Sequence, residues 1–305
     1  MATLKGQNLR VGFVDPELTD PVLVGMSTNC TITLNNNTED ASHKDIVGNA
    51  ANPTVVSQAW SVQVESLDVT DVSTILTLMK NSTKVIVMWD ETSTADNITS
   101  VGADFGRIGY AYINDSTFTF DDRNNSVKNI QLTGASELRA LEEGDIFVPP
   151  TNSSAFTKGQ FVRLLLSSNN TDAPSAVVAA AKQLSLHVSV QLEEATTKDT
   201  EGMFQVQEPV GLSYDITSGA LVRSGETITS QVTGKSVADI MTIWQNGTPV
   251  KWKIANMSGD NNRTAGTVIA SGSCIVQSLS LNGPNRQNAT YQAQLAGVGA
   301  FAVGS

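Results

Sequence analysis

Cysteine is nearly missing from this chain of 305 residues. Cys30 and Cys274 are the only two, too few for a disulfide framework, and both read as free thiols in a reducing compartment. Histidine is as scarce, with His43 and His187 alone, and no His-X3-His or Cys-X2-Cys spacing occurs. A transition-metal site would therefore have almost no ligands to draw on. Basic residues are short too, 19 against 30 acidic ones for a formal charge of −11, which argues against a protein that grips nucleic acid by neutralising phosphates. Long apolar runs are absent: the longest, 85–89 and 176–181, fall far short of the ~20 residues that cross a bilayer. Met1-Ala2-Thr3-Leu4-Lys5 leads into no apolar signal segment, so we expect a chain made in the cytoplasm without membrane contact.

What replaces charge, at 16% of residues against about 25% in an average soluble protein, is Ser, Thr and Asn, which fill 85 of the 305 positions. Neutral hydrogen-bonding side chains are buried between subunits at lower desolvation cost than ions, so the composition suits a chain living inside an assembly as well as a polar β-rich domain. The twelve Asn-X-Ser/Thr triplets, Asn81, Asn97, Asn246 and Asn288 among them, are what such a composition generates by chance.

The most informative feature is an internal repeat of five collinear blocks. Lys5-Gly6-Gln7-Asn8-Leu9-Arg10 matches Lys158-Gly159-Gln160-Phe161-Val162-Arg163, and the same offset sets Pro21 on Pro174. The alternating stretch 30–34 pairs with 184–188, and Lys44-Asp45 with Lys198-Asp199; Trp60-Ser61-Val62-Gln63-Val64 pairs with Leu212-Ser213-Tyr214-Asp215-Ile216. Both blocks read as strands with one apolar face. Val72, Ile75, Leu76 and Met79 stand at i, i+3, i+4 and i+7, as do Val237, Ile240, Met241 and Trp244, which predicts a helix burying one face in each half. Asp71 and Ser236 occupy the N-cap positions. After each helix a strand is expected, over 84–89 and 249–254, and the stretch 109–134 then aligns without a gap on 272–297, with identities at Gly109, Arg123, Asn125, Gln131, Leu132 and Gly134.

The predicted fold is thus mainly β: two tandem β-sandwich or barrel units, each with one packed α-helix, over 1–134 and 158–305, joined by a linker at 135–157. The second copy carries about a dozen extra residues within 217–235, read as a longer hairpin or loop. Charge is uneven, with 8 basic against 16 acidic residues in 1–134, 1 against 4 in 135–157, and 10 against 10 in 158–305.

Catalytic chemistry finds no footing. His187 lies on the polar phase of a strand, where a solvated or interface role is the default for a lone titratable residue. The acidic pairs Asp121-Asp122, Glu142-Glu143 and Glu193-Glu194 fall in turns, linker or strand ends and read as solvated charge. Gly297-Val298-Gly299 has no helix behind it to hold a phosphate, and no Gly-X-Ser-X-Gly elbow occurs. No enzyme activity, cofactor or metal is expected.

The C-terminal stretch 274–281 followed by 288–300 resembles the final strand pair of major tail tube proteins of long-tailed, non-contractile bacteriophages. The helix 237–244 with Asn246-Gly247-Thr248-Pro249-Val250 is similar to the segment preceding it in that family, and Ser27-Thr28-Asn29-Cys30-Thr31 to the family's first strand. The likeness runs over nearly the whole chain, weaker in the first half, and departs from the usual member in being duplicated. It implies a structural virion protein whose domains, six to a ring, merge their inner sheets into a closed barrel, the rings stacking into a tube for DNA passage. Two domains per chain then imply trimeric, pseudo-sixfold rings. The implied partners are further copies of itself, a tape-measure protein, and tail terminator and tip proteins, with transient, non-specific passage of DNA.

The residue phase bears on such a channel. Ile32, Leu34, Val62, Val64, Tyr214, Ile216, Ala293 and Leu295 take the apolar phase and are expected to pack on the helices. Thr31, Thr33, Gln63, Glu65, Asn129, Gln131, Asp215, Gln292 and Gln294 take the other phase and are the candidate lumen-facing residues. A wall of amides, hydroxyls and scattered carboxylates would let phosphates slide past. A reading from a different class stays open, a two-domain β-sandwich adhesin that binds a receptor or glycan, although aromatics are only 6%.

Overall fold

The computed structural model describes residues 6–17, 22–41, 51–67, 71–91, 106–142, 144–148, 158–197, 203–222, 234–258 and 264–304. The expected matches at Pro21, Lys44-Asp45 and Lys198-Asp199 lie outside the described residues. The first half holds β1 (Leu9–Val14), β2 (Val22–Leu23), β3 (Ser27–Asp40), β4 (Pro53–Ser66), α1 (Val72–Lys80), β5 (Val85–Glu91), β6 (Arg107–Asp121), β7 (Val127–Gly134) and β8 (Arg139–Ala140). The second holds β9 (Val162–Leu166), β10 (Ala176–Val178), β11 (Ala181–Glu194), β12 (Gln207–Leu221), β13 (Gly234–Lys235), α2 (Val237–Asn246), β14 (Val250–Ser258), β15 (Thr264–Asn282) and β16 (Thr290–Val303).

Six antiparallel ladders of the first half recur in the second. β1 pairs with β2 and β5, β5 with β6, β6 with β7, β7 with β4 and β4 with β3. Correspondingly, β9 pairs with β10 and β14, β14 with β15, β15 with β16, β16 with β12 and β12 with β11. Even the irregularities coincide: the β6–β7 register slips between Ile113 and Asp115, and the β15–β16 register between Val276 and Ser278, with Ile113 opposite Leu132 and Val276 opposite Leu295. A bulge is an inserted residue that bends a strand, so its recurrence marks the same local shape built twice.

The third sequence block is corrected by two residues. Trp60 lies opposite Leu34, and its counterpart, opposite Val188, is Tyr214 rather than Leu212. Because side chains alternate with period two, a slip of two leaves every residue on its face, and for that reason hydrophobic phase could not detect it. The matched rings do the same work. Trp60 packs on Trp89, with centroids 5.7 Å apart, and its Nε1 donates to the Ser136 carbonyl at 2.8 Å. Tyr214 packs on Trp252 at 5.6 Å, and its hydroxyl donates to the Ser273 carbonyl at 2.7 Å. Beneath them lie Gly134 and Gly297, where a Cβ would come within 2.4 Å of Trp60 and 2.5 Å of Tyr214. The rings therefore need bare backbone below them.

The helices differ. Val72, Ile75, Leu76 and Met79 of α1 are all buried, as their spacing predicts, beneath a helix that touches β6 and, across the chain, β11, β15 and β16. In α2 Ile240 and Ile243 are buried, but Met241 and Trp244 stand exposed, because among the described residues the strands this helix packs against are β15 and β13, whereas α1 spans four. Ser236 caps α2 in a reciprocal pair with Asp239, whereas Asp71 makes no side-chain cap bond and instead receives the Lys128 ammonium at 2.5 Å, compensating a buried charge. The presumed linker folds back on the first half: β8 pairs with β6, Phe147 is buried beside Met88, and Arg139 makes a two-pronged bond to Asp145. The extra segment of the second half ends in β13, which adds in parallel to β10.

The halves are joined as one sheet by antiparallel pairing of β11 with β6. Across this joint His187 sits between Asp115 and Asp215, Nε2 and Nδ1 each 2.7 Å from a carboxylate oxygen. Partial burial disfavours the imidazolium, but the hydrogen bonds to Asp115 and Asp215 outweigh it and raise the pKa above the ordinary 6.5.

Two outcomes follow for measurement. Gly134→Val and Gly297→Val each overpack a ring site and should cost about 1–3 kcal/mol in chemical denaturation, whereas Gly283→Val, which meets nothing within 4 Å, should be near neutral. The His187 bridge contributes fully below the unfolded histidine pKa and is lost as pH rises through the elevated folded value. The melting temperature of the wild type should fall across that window, by less than about 1 kcal/mol equivalent given solvent screening, and His187→Gln should flatten the dependence.

Candidate interaction surface

Following the ladders across the joint yields one continuous antiparallel sheet of order β3-β4-β7-β6-β11-β12-β16-β15, four strands from each half. Alternation gives it two chemically different faces. One face is apolar and covered: Val62, Val64, Ile130, Leu132, Phe118, Leu184, Leu186, Val188, Ile216, Ala293 and Leu295 are buried, with Ile32 partly so. Leu34 was expected to pack with them and does not; it is 63% exposed, because among the described residues β3 is the last strand of the sheet and no element lies beyond it.

The other face carries all nine candidates of the opposite phase. Thr31 stands opposite Gln63 and Gln63 opposite Gln131, forming a row across three strands, while Thr33 lies opposite Ser61. Glu65 stands opposite Asn129; the Gln63 amide donates to Asn129 Oδ1 at 3.3 Å and the Thr28 hydroxyl to Glu65 Oε1 at 3.1 Å. In the second half Gln294 lies opposite Thr217 and Ser278, and Gln292 opposite Gly219 and Ser280. Asp215 is on this face but is not a free carboxylate, since it is held by His187. The sequence pattern placed His187 on this face but could not show that it bridges two acids, because Asp115 is 72 residues away in the chain.

This face can present neutral hydrogen-bond donors and acceptors with a weak negative bias; none of the positions just named is a lysine or arginine. Among the described residues, no group of three or more His, Cys, Asp or Glu side chains is arranged to hold a metal ion, and no helix is long and apolar enough to cross a membrane. Burial pushes the Cys30 thiol up to about 11 and the Cys274 thiol to about 12, so neither is an activated nucleophile. The two ends of the sheet are the other notable feature. Among the described residues, β3 pairs only with β4, and past Cys274 the side of β15 away from β16 carries no strand.

Residues 158–303 match the family model for phage tail tube protein. Among solved structures, the chain is similar to a chain from the tail of an empty gene transfer agent particle refined helically with C6 symmetry, at 13% identity over 48% of this chain and 96% of that one, TM-score 0.36. It is similar also to a chain in the virion of the native gene transfer agent particle, at 15% identity over 49% and 99%, TM-score 0.35, and to the SPP1 tail tube, at 15% over 48% and 78%, TM-score 0.36. None of the curated proteins matches. It is the family match, not these distant likenesses, that bears on the chain's role: residues 158–303, just under half of the chain, are similar to a phage tail tube protein, and the role that this match supports is a structural one in the tail of a virion.

Proposed function

We propose that this chain polymerises with its own kind into closed rings, that the rings stack into the wall of a tail tube, and that the polar face of the eight-stranded sheet lines the channel for DNA. The observation that carries the reading is the sheet itself, with one face buried, one face polar and, among the described residues, an open strand edge at each end, along β3 and along β15 past Cys274. An unpaired strand presents free backbone N–H and C=O groups that template addition of another strand without limit unless the array closes. A ring of copies removes every such edge.

On this reading 1–134 and 158–305 are two tail-tube units, matched ladder for ladder, with 135–157 as a connector packed on the first. Three copies then supply six units per ring with pseudo-sixfold symmetry. Thr31, Thr33, Gln63, Glu65, Asn129, Gln131, Asp215, Gln292 and Gln294 face the lumen, where the scarcity of positive charge keeps DNA from adhering. A tape-measure protein inside, terminator and tip proteins at the ends, and DNA in transit are the partners that such a tube requires.

Negative-stain microscopy of the purified protein should show rings or tubes, and native mass measurement of single rings should give three chains; dispersed monomers would overturn the assembly, and six chains the stoichiometry. The lumen assignment is tested at Gln63 and Gln294, which, unlike Asp215, hold no ionic bridge. Gln63→Lys with Gln294→Lys should leave tubes intact and slow genome ejection about tenfold or more, since each cation adds a phosphate contact; ejection at the normal rate would remove these residues from the channel.

A further inference from the structure

The joint inside the chain specifies the joint between chains. Resting on the ring assembly proposed above, we infer that β3 of one copy adds antiparallel to the free edge of β15 of the next copy, with Thr33 opposite Ser280, Leu34 opposite Leu279 and Ile32 opposite Leu281. Within one chain, β11 docks on β6 with Ser189 opposite Asp115, His187 opposite Thr117 and Leu186 opposite Phe118. β3 is the counterpart of β11, because Ile32 faces Val62 as Leu186 faces Ile216, and Val62 and Ile216 face Leu132 and Leu295 in turn. β15 is the counterpart of β6, the two being aligned by their shared bulge, so that Asp115 corresponds to Ser278, Thr117 to Ser280 and Phe118 to Leu281. Transferring the internal register onto these equivalents gives the pairs named.

Burial supports the transfer from both strands. At the internal joint Val188 and Phe118 are 0% exposed, while their counterparts Leu34 and Leu281 are 63% and 54% exposed. Each is an apolar side chain on the covered face lacking one neighbour, and the second copy supplies it. The helices say the same independently. α1 reaches over the internal joint to β11, β15 and β16 of the other half, and its Leu76 and Met79 are buried there. The equivalent Met241 and Trp244 of α2 are exposed, and under this geometry they lie over β3, β6 and β7 of the next copy. The seams differ in chemistry: where the internal one is crossed by Asp115, His187 and Asp215, the one between chains sets Ser278, Thr33 and Ser61 at the same positions. Hydroxyls replace the ion bridge.

The test is a disulfide across the seam. In a Cys30→Ser, Cys274→Ala background, Thr33→Cys with Ser280→Cys should, on mild oxidation, yield covalent multimers ending at a finite ring, with the linkage mapped to those two positions by peptide mass. The shifted pair Thr33→Cys with Asn282→Cys should link at least tenfold less. If wild-type tubes form but the 33–280 link is absent, or the shifted pair links better, the register is overturned and the tube reading survives; if the wild type forms neither rings nor tubes, the tube reading falls and takes the seam with it. A single Leu34→Glu keeps the question open to refutation should the cysteine variants misfold. Its site is solvent-exposed in the isolated chain, so circular dichroism should be unchanged while the assembled fraction falls at least tenfold; normal assembly would overturn the seam. Trp244 should likewise lose access to iodide quenching on assembly, and retained access would count against the helix placement.

Discussion

The interaction on which everything else in this molecule depends is the backbone ladder between β6 and β11. It joins strands from two halves of the sequence and turns two small sheets into one sheet of eight. A ladder satisfies only one edge of each strand, so joining the halves consumes one free edge from each and leaves one edge on each. A chain built from two equivalent units with such a joint necessarily carries the two matching surfaces of the same joint at its ends. In the assembly proposed above, polymerisation would repeat this intramolecular contact.

The strict division of the sheet faces governs how that contact is used. On the covered face buried apolar side chains run through the joint, among them Val62, Leu132, Phe118, Leu186, Ile216 and Leu295, with Ser116 as a buried polar residue between them. Burial there stabilises the joint by removing apolar area from water. On the open face the residues are mostly amides and hydroxyls; among its carboxylates Glu65 accepts from Thr28, and Asp115 and Asp215 are bridged by His187. A surface of that kind has little attraction for a polyanion, as the channel wall proposed above would require.

Much of this was legible before any coordinates. Element order, helix placement and the equivalence of the stretches 109–134 and 272–297 followed from phase and spacing, since a strand with one buried face must alternate and a helix with one must repeat every three to four residues. What escaped were matters that phase does not encode. The slip of Trp60 onto Leu212 instead of Tyr214 preserved alternation and was visible only once the cross-strand neighbours Leu34 and Val188 were known. Asp71 was read as a cap, a role open to any aspartate in that position, but a buried Lys128 from a strand 57 residues away claims its carboxylate. Leu34, Met241 and Trp244 carry an inward-facing pattern yet stand exposed in the single chain, because phase marks a face and not whether another element covers it.

The sequence by itself determined the repeated unit, its two-faced strands and the neutral polar character of the open face. These are local properties, set by residue type and period, and need no knowledge of neighbours. Tertiary structure alone decided which strand of one half meets which strand of the other, that His187 spans Asp115 and Asp215, and where the two open edges fall. Pairing between distant strands is chosen by the summed fit of a whole ladder and the helix lying over it, a quantity that no single stretch of the chain contains.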